Sequence, residues 1–423
     1  MGNRARRFLF CVSIGYGHLH PLMPLARALA QRGHAVAFAV GPSLQSLVEA
    51  AGFVVFPLTE NLAVDPAFRQ VRTQVQMMPP GLERELFNWT QIAYGVAPRV
   101  RTPELVAIAQ TWRPDMLIRE AGECTAVIAA EHLGLPHAVV AFTAALKGMA
   151  VFERDAAVQL DPIRQQWGLP ADPTLTALYR YLYVASSPPS FGLQEVGGAQ
   201  GASALPATTH FIRPDFFDHA DHERLPEWVA ELPARPTIYI TLGTEVNRRP
   251  EYYPSILQTI LTGLRHLPAN LIVTLGRDKD PVDFGPQPAN VHIERYLPHS
   301  LLLRQCDLLV MHGGSNSLLA ALDVGLPMIV VPLMGDEFFN AQVVHSMRLG
   351  QVVPHEHLTP AAVRRAVDEV LNQAIYRQNV ERLQTELHAL PDQTYAVALV
   401  ERVAADHRPV PGTKGSAPGQ TLP

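Results

Sequence analysis

The chain has 423 residues, of which 48% are hydrophobic and 17% charged, and it carries a formal net charge of −5 at pH 7. This composition predicts a globular protein of about two domains and excludes extensive disorder. The acidic balance, with no Lys/Arg block beyond "RARR" near the start, disfavours nucleic acid as a partner.

The first 60 or so residues predict a strand, a glycine-rich turn, a helix and a second strand. The runs at 7–14 ("RFLFCVSI") and 34–40 ("HAVAFAV") are apolar, as in strands buried on both faces, and the apolar residues of "LMPLARALAQ" recur at helical spacing until Gly33. Because the first run has no small-residue cleavage site, we expect a strand rather than a signal peptide. No run reaches the roughly 18 apolar residues of a membrane helix, so we expect no membrane span and a cytoplasmic location.

Strand and helix patterns alternate along two long stretches, which are separated by a segment rich in Pro, Gly and Ala. They predict an α/β domain at 1–210, a linker at 211–236 and a second α/β domain at 237–390. A helix at 391–406 is expected to pack across both domains. Residues 407–423 are rich in Gly and Pro without an apolar period, which predicts a disordered tail.

The predicted fold class is therefore α/β, with two doubly wound Rossmann-like domains whose parallel sheets face each other across a cleft. In such sheets ligands bind beyond the carboxyl ends of the strands. The polar groups that directly follow predicted strands are the candidate site residues.

The segment "HGGSNS" at 312–317, called the glycine loop below, follows an apolar strand and opens a helix. Its glycines allow the backbone to approach a ligand, the helix N-terminus favours an anion, and His312 can donate a hydrogen bond to that anion. The alternative is a plain turn with Ser315 as helix N-cap. The glycine loop lacks the Lys of a Walker loop, and "GYG" in the first turn lacks the third glycine of the dinucleotide fingerprint, which disfavours NAD.

Two further loops carry candidate side chains. Asp336 and Glu337 suit the vicinal hydroxyls of a sugar, or alternatively begin a solvated helix. The first loop carries His18 and His20, and because imidazole is the side chain suited to proton transfer near neutral pH, either could act as a general base, although a loop histidine is also often structural. No third ligand accompanies this pair, so no metal site is expected. The three cysteines are far apart without CxxC spacing, which predicts reduced core residues.

Together these segments resemble the inverting GT-B glycosyltransferases of family GT1 that modify natural products of the antibiotic and macrolide type. The N-terminal "GHLHPLMPLARALAQRGHAV" is similar to the family's Gly-His-x-x-Pro start, and "TLGT", "NVHIERYLPHSLLLRQCDLLVMHGGSNS" and "GLPMIVVPLMGDEFFNA" follow in the family's order and spacing. The resemblance covers nearly the whole chain. It implies a hexosyltransferase that needs no cofactor and takes a nucleotide-diphosphate sugar as co-substrate. Because the helix N-terminus after the glycine loop and His312 can carry the charge of a departing diphosphate, no DxD-like metal site is needed, and we expect the reaction to be metal-independent.

The resemblance also implies roles for individual positions. His18 looks like the catalytic base and Glu120 like the acidic partner that orients it, with Glu123 close by as the other possible partner. The implied donor-binding residues cover the nucleobase, hold the diphosphate or hold the sugar. They are, in that order, Tyr296, Leu297 and His299; Gly243, Thr244, His312, Gly314, Ser315, Asn316 and Ser317; Asp336 and Glu337. Glu337 departs from the family's usual Gln.

One further departure concerns the nucleotide. Family members that use uridine nucleotides place a Glu eight residues after the histidine to hold the ribose hydroxyls, and this chain has Ala320 there. A deoxyribose would leave such a Glu unpaired, whereas Ala tolerates it. We therefore expect a dTDP-sugar rather than a UDP-sugar.

The expected reaction transfers the sugar to a hydroxyl of a hydrophobic small molecule. His18 takes the acceptor proton, the oxygen attacks the anomeric carbon with inversion, and the diphosphate leaves into the glycine loop. Apolar residues at 60–100 and 142–190 suit such an acceptor, or equally form ordinary helix cores. Two alternatives stay open: a GT-B epimerase or hydrolase that acts on the donor alone, and a non-catalytic helper protein with a glycosyltransferase-like fold.

Overall fold

The computed structural model describes residues 4–12, 15–196, 204–216 and 223–412. Its chain forms two compact units. Unit 1 holds the described residues of Met1–Ser187, Gly198–Asp215 and Ala389–Pro423, and unit 2 holds those of Pro188–Gly197 and Phe216–His388.

Unit 1 contains a seven-stranded parallel sheet in the order β3-β2-β1-β4-β5-β6-β7, so the strand order reverses between β1 and β4. Its strands are β1 Arg7–Cys11, β2 Ala35–Val40, β3 Val54–Pro57, β4 Met116–Glu120, β5 His137–Val140, β6 Tyr183–Ala185 and β7 Thr209–Phe211. Its α-helices are Tyr16–Leu19, Met23–Gln31, Pro42–Ala50, Pro66–Met77, Leu82–Gln91, Ala97–Trp112, Thr125–Leu133, Lys147–Phe152, Ala156–Gln166 and Gln393–Asp406. A π-helix, Ile92–Val96, and the 3₁₀ helices His20–Leu22, Leu62–Val64 and Thr176–Tyr179 complete the unit.

Unit 2 contains a six-stranded parallel sheet in the order β10-β9-β8-β11-β12-β13, which reverses between β8 and β11. Its strands are β8 Thr237–Thr241, β9 Asn270–Thr274, β10 Val291–Glu294, β11 Leu308–Met311, β12 Met328–Val330 and β13 Gly350–Val352. Its α-helices are Pro189–Gly192, Gly243–Asn247, Ser255–Leu264, His299–Leu303, Ser315–Asp323, Glu337–Ser346, Pro360–Asn372 and Ala374–His388, and its 3₁₀ helices are Glu227–Val229, Pro281–Phe284 and His355–His357.

The central strands are buried on both faces, as their continuous apolar runs predict. Every residue of β4, β5, β8, β9 and β11 is buried. Helix Thr125–Leu133 ends at Gly134, whose φ of +67° is the left-handed conformation that glycine adopts at helix ends. The prediction of two doubly wound Rossmann-like parallel sheets is therefore confirmed. All three cysteines are free thiols, and Cys11 and Cys124 are buried.

The C-terminal helix Gln393–Asp406 packs within unit 1. The Arg6 guanidinium donates to the carbonyl of Ala404 at 2.7 Å, and Nε2 of His34 lies 2.9 Å from a carboxylate oxygen of Glu401. These contacts attach the C-terminal helix to the residues that directly precede β1 and β2.

Order continues beyond this helix. The Val410 N–H donates to the Tyr181 carbonyl at 2.9 Å, and the Gly412 N–H donates to the Ala207 carbonyl at 2.7 Å. The predicted disorder therefore does not hold at 407–412, because backbone hydrogen bonds fix this segment to unit 1. The rest of the predicted tail, the linker residues 217–222 and the last two residues of the predicted first strand lie outside the described residues. Within the described ranges, no helix is both long and apolar enough to cross a membrane.

Candidate active site

His18 and Glu120 meet at the point where the sheet of unit 1 reverses its order. His18 lies in the short helix Tyr16–Leu19 after β1, and Glu120 is the last residue of the neighbouring strand β4. Nδ1 of His18 lies 3.2 Å from Oε2 of Glu120, and the side chains are 17% and 0% exposed. The pair therefore lies at the carboxyl edge where such sheets bind ligands, with only the imidazole reaching solvent. The other loop histidine, His20, begins the following 3₁₀ helix.

The structure distinguishes the two carboxylates that could partner His18. One oxygen of Glu123 accepts a hydrogen bond from the Thr125 N–H at 2.8 Å, and the other lies 3.8 Å from the Arg101 guanidinium. Burial raises the pKa of the Glu123 carboxyl, and Arg101 opposes that rise. The residue beside His18 is thus Glu120, while Glu123 pairs with buried groups behind it.

Aromatic rings pack around the His18 imidazole. The ring of Phe142 stacks on it with centroids 4.2 Å apart, and the indole of Trp89 stacks with centroids 5.6 Å apart. Trp89 also covers the backbone after β4 so closely that a Cβ on Gly122 would lie 2.5 Å from its ring. These rings limit the rotation of the imidazole. The sequence placed both aromatics in apolar segments but gave no signal that would single them out.

Gly243 and the glycine loop follow β8 and β11, the two strands at which the sheet of unit 2 reverses. Both glycine positions lie against the ring of His312. A Cβ on Gly243 would lie 2.8 Å from Cε1 of His312, and a Cβ on Gly314 would lie 2.4 Å from its Nε2. Only glycine fits at either position without displacing the imidazole, so the loop brings bare backbone beside this side chain.

His312 is neutral at physiological pH. Burial and the nearby His299 lower its pKa to about 4. Its Nδ1 is buried and has no hydrogen-bond partner in the described part of the chain. Buried polar groups are normally paired, so an unpaired ring nitrogen beside a helix N-terminus suits a bound polar ligand.

A closed set of hydrogen bonds joins the glycine loop to the next helix. The Ser315 hydroxyl donates to Oδ2 of Asp336 at 2.7 Å. The carboxamide nitrogen of Asn340, which is fully buried, donates to the Gly313 carbonyl at 2.9 Å and to the Ser315 hydroxyl at 2.8 Å. Asn340 was not predicted from the sequence, and its only signal is an asparagine one helical turn after Asp336.

Glu337 binds the protein itself. Its Oε2 accepts hydrogen bonds from the N–H groups of Leu333 and Met334 at 2.7 and 2.9 Å, and the residue is 5% exposed. The alternative of a solvated helix start is therefore wrong for Glu337. Asp336 is partly exposed and precedes helix Glu337–Ser346 as its N-cap residue.

The segment predicted to cover a nucleobase is half-buried at Tyr296 and His299 and buried at Leu297 between them. The Arg277 guanidinium stacks over the Tyr296 ring at 3.5 Å from its centroid. Leu297 is buried, and Nδ1 of His299 lies 3.3 Å from the Tyr239 hydroxyl. Five residues line a surface concavity of about 430 Å³ beside Tyr296: Arg277, Pro281, Glu294, Arg295 and Tyr296 itself.

A buried chain of hydroxyls continues from Tyr239 to the loop after β8. The Tyr239 hydroxyl lies 2.7 Å from that of Thr274, which donates to the Thr241 hydroxyl at 3.1 Å. Thr241 in turn accepts from the Gly243 N–H at 3.3 Å. This series of hydrogen bonds connects the segment predicted to cover the nucleobase with the segment predicted to bind the diphosphate.

The remaining predicted donor residues lie at helix starts. Thr244 lies in helix Gly243–Asn247, and Asn316 and Ser317 lie in the first turn of helix Ser315–Asp323. Ala320, further along that helix, is 2% exposed and presents no carboxylate. Among the described residues, no group of three or more His, Cys, Asp or Glu side chains could hold a metal ion.

Comparison with known proteins identifies the family. The N-terminal domain model of the erythromycin biosynthesis protein CIII-like proteins matches residues 27–243, which is more than half of the chain, and the corresponding C-terminal domain model matches residues 258–403. The chain belongs to the CIII-like family.

Its relatives include named transferases of antibiotic biosynthesis. This CIII-like chain is 28% identical over 410 residues to the L-demethylnoviosyl transferase of Streptomyces niveus, covering 93% of this chain and 96% of that protein. It is 27% identical to the tylactone mycaminosyltransferase of Streptomyces fradiae, covering 95% and 92%. The structure of the glycosyltransferase VinC in complex with dTDP superposes with a TM-score of 0.73 at 24% identity, covering 94% of this chain and 99% of VinC.

The predicted membership of the GT1 natural-product glycosyltransferases and the GT-B fold are thereby confirmed. The CIII-like protein is a glycosyltransferase of the antibiotic and macrolide type that uses nucleotide sugars.

Proposed function

We propose that this CIII-like glycosyltransferase transfers a sugar from a dTDP-sugar, in preference to a UDP-sugar, to a hydroxyl of a hydrophobic small molecule. The reaction inverts the anomeric configuration and needs neither metal nor cofactor. His18 is the general base, oriented by Glu120. The observation that carries the proposal is the 3.2 Å contact between these two side chains at the carboxyl edge of the sheet.

The contact determines what His18 can do. A carboxylate beside Nδ1 favours the tautomer with a proton on Nδ1, so the lone pair of Nε2 is left to accept the proton of an acceptor hydroxyl. The imidazolium that forms is stabilised by Glu120, because a buried opposite charge at this distance interacts strongly. The stacked Phe142 and Trp89 rings keep the imidazole in this orientation.

In unit 2, the leaving diphosphate is assigned to Gly243, Thr244 and the glycine loop. The N-terminus of helix Ser315–Asp323 supplies backbone N–H groups and a partial positive charge. His312 supplies a neutral imidazole that can donate one further hydrogen bond. These fixed donors stabilise the charge that develops as the bond to the sugar breaks, without a bound cation.

The nucleotide and sugar assignments use three other residues. Ala320 offers no carboxylate to a ribose hydroxyl, and the dTDP bound to VinC supports the same nucleotide here. Asp336 and Glu337 are assigned to the sugar hydroxyls. Because Oε2 of Glu337 binds two backbone amides, its contact with the sugar would involve Oε1.

The nucleotide is tested first, by thermal unfolding with dTDP, UDP, GDP and NAD⁺ at matched concentrations. A ligand at a hundred times its Kd should stabilise the fold by about 2.7 kcal/mol. We expect the largest shift of Tm with dTDP. A larger shift with UDP would overturn the assignment based on Ala320, and a shift with NAD⁺ alone would overturn the donor site.

Turnover is tested with a dTDP-sugar and a panel of macrolide, polyketide, flavonoid and terpenoid alcohols. We expect a glycoside of inverted configuration by NMR, at a rate that EDTA does not change. Nucleotide release without an acceptor would instead indicate a donor hydrolase or epimerase. Transfer without any partner protein would exclude a helper role, and loss of activity in EDTA restored by Mg²⁺ or Mn²⁺ would contradict metal independence.

A further inference from the structure

We propose that Asn340 is a positioning residue that turns the peptide between Gly313 and Gly314, so that the Gly314 N–H points at the diphosphate of the donor. The inference depends on the proposed function, which it deepens by naming what aligns one donor of the glycine loop.

The carboxamide of Asn340 is held in one orientation. It is fully buried in helix Glu337–Ser346, and its nitrogen donates to the Gly313 carbonyl and the Ser315 hydroxyl. The same nitrogen lies 3.2 Å from Oδ2 of Asp336, and that oxygen also accepts a hydrogen bond from the Ser315 hydroxyl. Because these acceptors surround the nitrogen, the reversed amide would place its oxygen against other oxygens.

Holding the Gly313 carbonyl fixes the next N–H. In a trans peptide the C=O bond and the following N–H bond lie in one plane and point in opposite directions. The Gly313 carbonyl points at Asn340, so the Gly314 N–H points away from it. That N–H has no hydrogen-bond acceptor in the described part of the chain.

The loop needs such a restraint because its own sequence does not supply one. Gly313 has φ of +103° and Gly314 also lacks a side chain, so rotation of the peptide between them meets little steric resistance. A Cβ on Gly313 would lie 2.8 Å from Cγ1 of Val330, so a stiffer residue cannot replace it without displacing that side chain. The hydrogen bond from Asn340 therefore fixes the orientation of a peptide whose glycines cannot be replaced by stiffer residues.

A purely structural role for Asn340 predicts a different outcome from a positioning role. If Asn340 only stabilised unit 2, its removal would weaken thymidine and dTDP binding alike. If it aims one N–H at the diphosphate, only ligands that carry the diphosphate are affected. A hydrogen bond to a charged group is strong enough that its loss should weaken dTDP binding about 10-fold or more.

The experiment compares the parent enzyme with Asn340→Ala and Asn340→Asp. The matched control is Asn372→Ala, in which another asparagine that donates to a backbone carbonyl, at 2.7 Å, is removed from an exposed helix end. Calorimetry gives the Kd of dTDP, ligand-observed NMR gives that of thymidine, and steady-state rates give kcat and KM for the sugar donor. We expect the dTDP Kd of both Asn340 variants to rise about 10-fold or more, with thymidine within twofold of the parent. The control should match the parent.

Equal losses for both ligands, or no loss for dTDP, would overturn the inference. If the parent binds dTDP but the Asn340 variants show either of these results, the proposed function stands and only the role of Asn340 is wrong. A parent that binds neither ligand would overturn both.

A second measurement avoids the variants at this position, in case they fail to fold. Only two Gly-Gly pairs occur in the chain, at 197–198 and at 313–314. Labelling glycine with ¹³C at the carbonyl and ¹⁵N therefore leaves two amides coupled to a labelled carbonyl, and Gly198→Ala removes one of them. We expect the Gly314 amide proton to move downfield on saturation with dTDP but not with thymidine, and an unchanged Gly314 signal would overturn the inference.

Discussion

In unit 1 the candidate site is made of side chains, whereas in unit 2 it is made largely of backbone. Both sites lie where a parallel sheet reverses its strand order. In unit 1, Glu120 and two aromatic rings hold His18. In unit 2, glycines expose the backbone around His312, and Asn340 holds that backbone through Gly313. Two sheets that share a reversal of strand order thus carry candidate sites built from different groups, side chains in unit 1 and backbone in unit 2.

The difference follows from what each site must do. Proton transfer needs a group whose protonation can change, and only a side chain offers this near neutral pH. Binding a diphosphate needs several donors at fixed positions, and the backbone at a helix N-terminus supplies them. Substitutions in unit 1 should therefore act on the chemical step, and those in unit 2 on nucleotide affinity.

The largest effect is expected from His18→Ala. Removing a general base typically costs about 10²–10⁴-fold in rate, so kcat should fall in this range while the Kd of dTDP stays at the parent value. Stopped assays for kcat and calorimetry for dTDP measure the two quantities. The neighbouring variant His20→Ala is the control and should retain activity. A parent-like rate for His18→Ala would place the base elsewhere and break the comparison at its first step.

The next effect separates the two carboxylates of unit 1. Glu120→Gln keeps the size of the side chain but removes the charge that stabilises the imidazolium, so kcat should fall roughly 10- to 100-fold. Glu123→Gln alters the contact with Arg101 and should leave kcat near the parent value. Rates of both variants at the same pH, with Tm as a measure of folding, decide the assignment. The reverse order of effects would show that Glu123 serves His18.

A smaller effect, about 10-fold in dTDP affinity, is expected from Gly314→Ala. The added methyl group would lie 2.4 Å from Nε2 of His312 and must displace either the ring or the loop. Gly17 lies beside the base in unit 1, and among the described residues outside its own helix and its two neighbours no atom lies within 4 Å of its Cβ position. Gly17→Ala should therefore leave Tm and dTDP affinity unchanged. Calorimetry on both variants tests whether glycine is required in one site and not in the other. Equal affinities would argue against a backbone-built donor site.

The smallest effect concerns stability in unit 1. Burial raises the pKa of Glu153, which accepts a hydrogen bond from the Tyr179 hydroxyl, from 4.5 to about 7. The folded state then binds a proton that the unfolded state releases, so the free energy of unfolding falls as pH rises from about 4.5 to about 7. Glu153→Gln is always neutral and should lose less stability over this window, by at most about 3 kcal/mol.

Denaturant titrations of the parent and Glu153→Gln at pH 5 and pH 8 measure this dependence. The difference in the free energy of unfolding between Glu153→Gln and the parent should grow in favour of the variant as pH rises. The control variant Glu356→Gln, at an exposed position, should show no such trend. An advantage that is the same at both pH values would mean that Glu153 does not carry the charge effect.

The sequence predicted the two sites unequally, for the same physical reason that separates them. The glycine loop is one contiguous segment after one strand, so its spacing alone predicted an anion site. Asn340 escaped prediction because its role exists only once helix Glu337–Ser346 packs beside the loop. Glu337 was predicted as a sugar contact, but its bonds to backbone amides depend on the fold of the preceding turn.

The base site of unit 1 joins residues that are distant in the sequence. Glu120 and Glu123 both follow an apolar strand, and only the register of β4 beside β1 places Glu120 next to His18. Trp89 and Phe142 are indistinguishable in sequence from residues of an ordinary core. Neither could have been selected without the three-dimensional packing.

The return of the C-terminal helix to unit 1 constrains how this enzyme can be recombined with its relatives. A chimera with a single junction near residue 215 would take the first part of unit 1 from one parent and helix Gln393–Asp406 from the other. The bonds from Arg6 to Ala404 and from His34 to Glu401 would then join two different sequences. An exchange of donor specificity should instead insert residues 216–388, the larger part of unit 2, as a cassette with two junctions. The first and last segments of unit 1 then keep their native partner, and the Ser190 N–H, which donates to Glu386, marks the contact across the junctions that the recipient sequence must preserve.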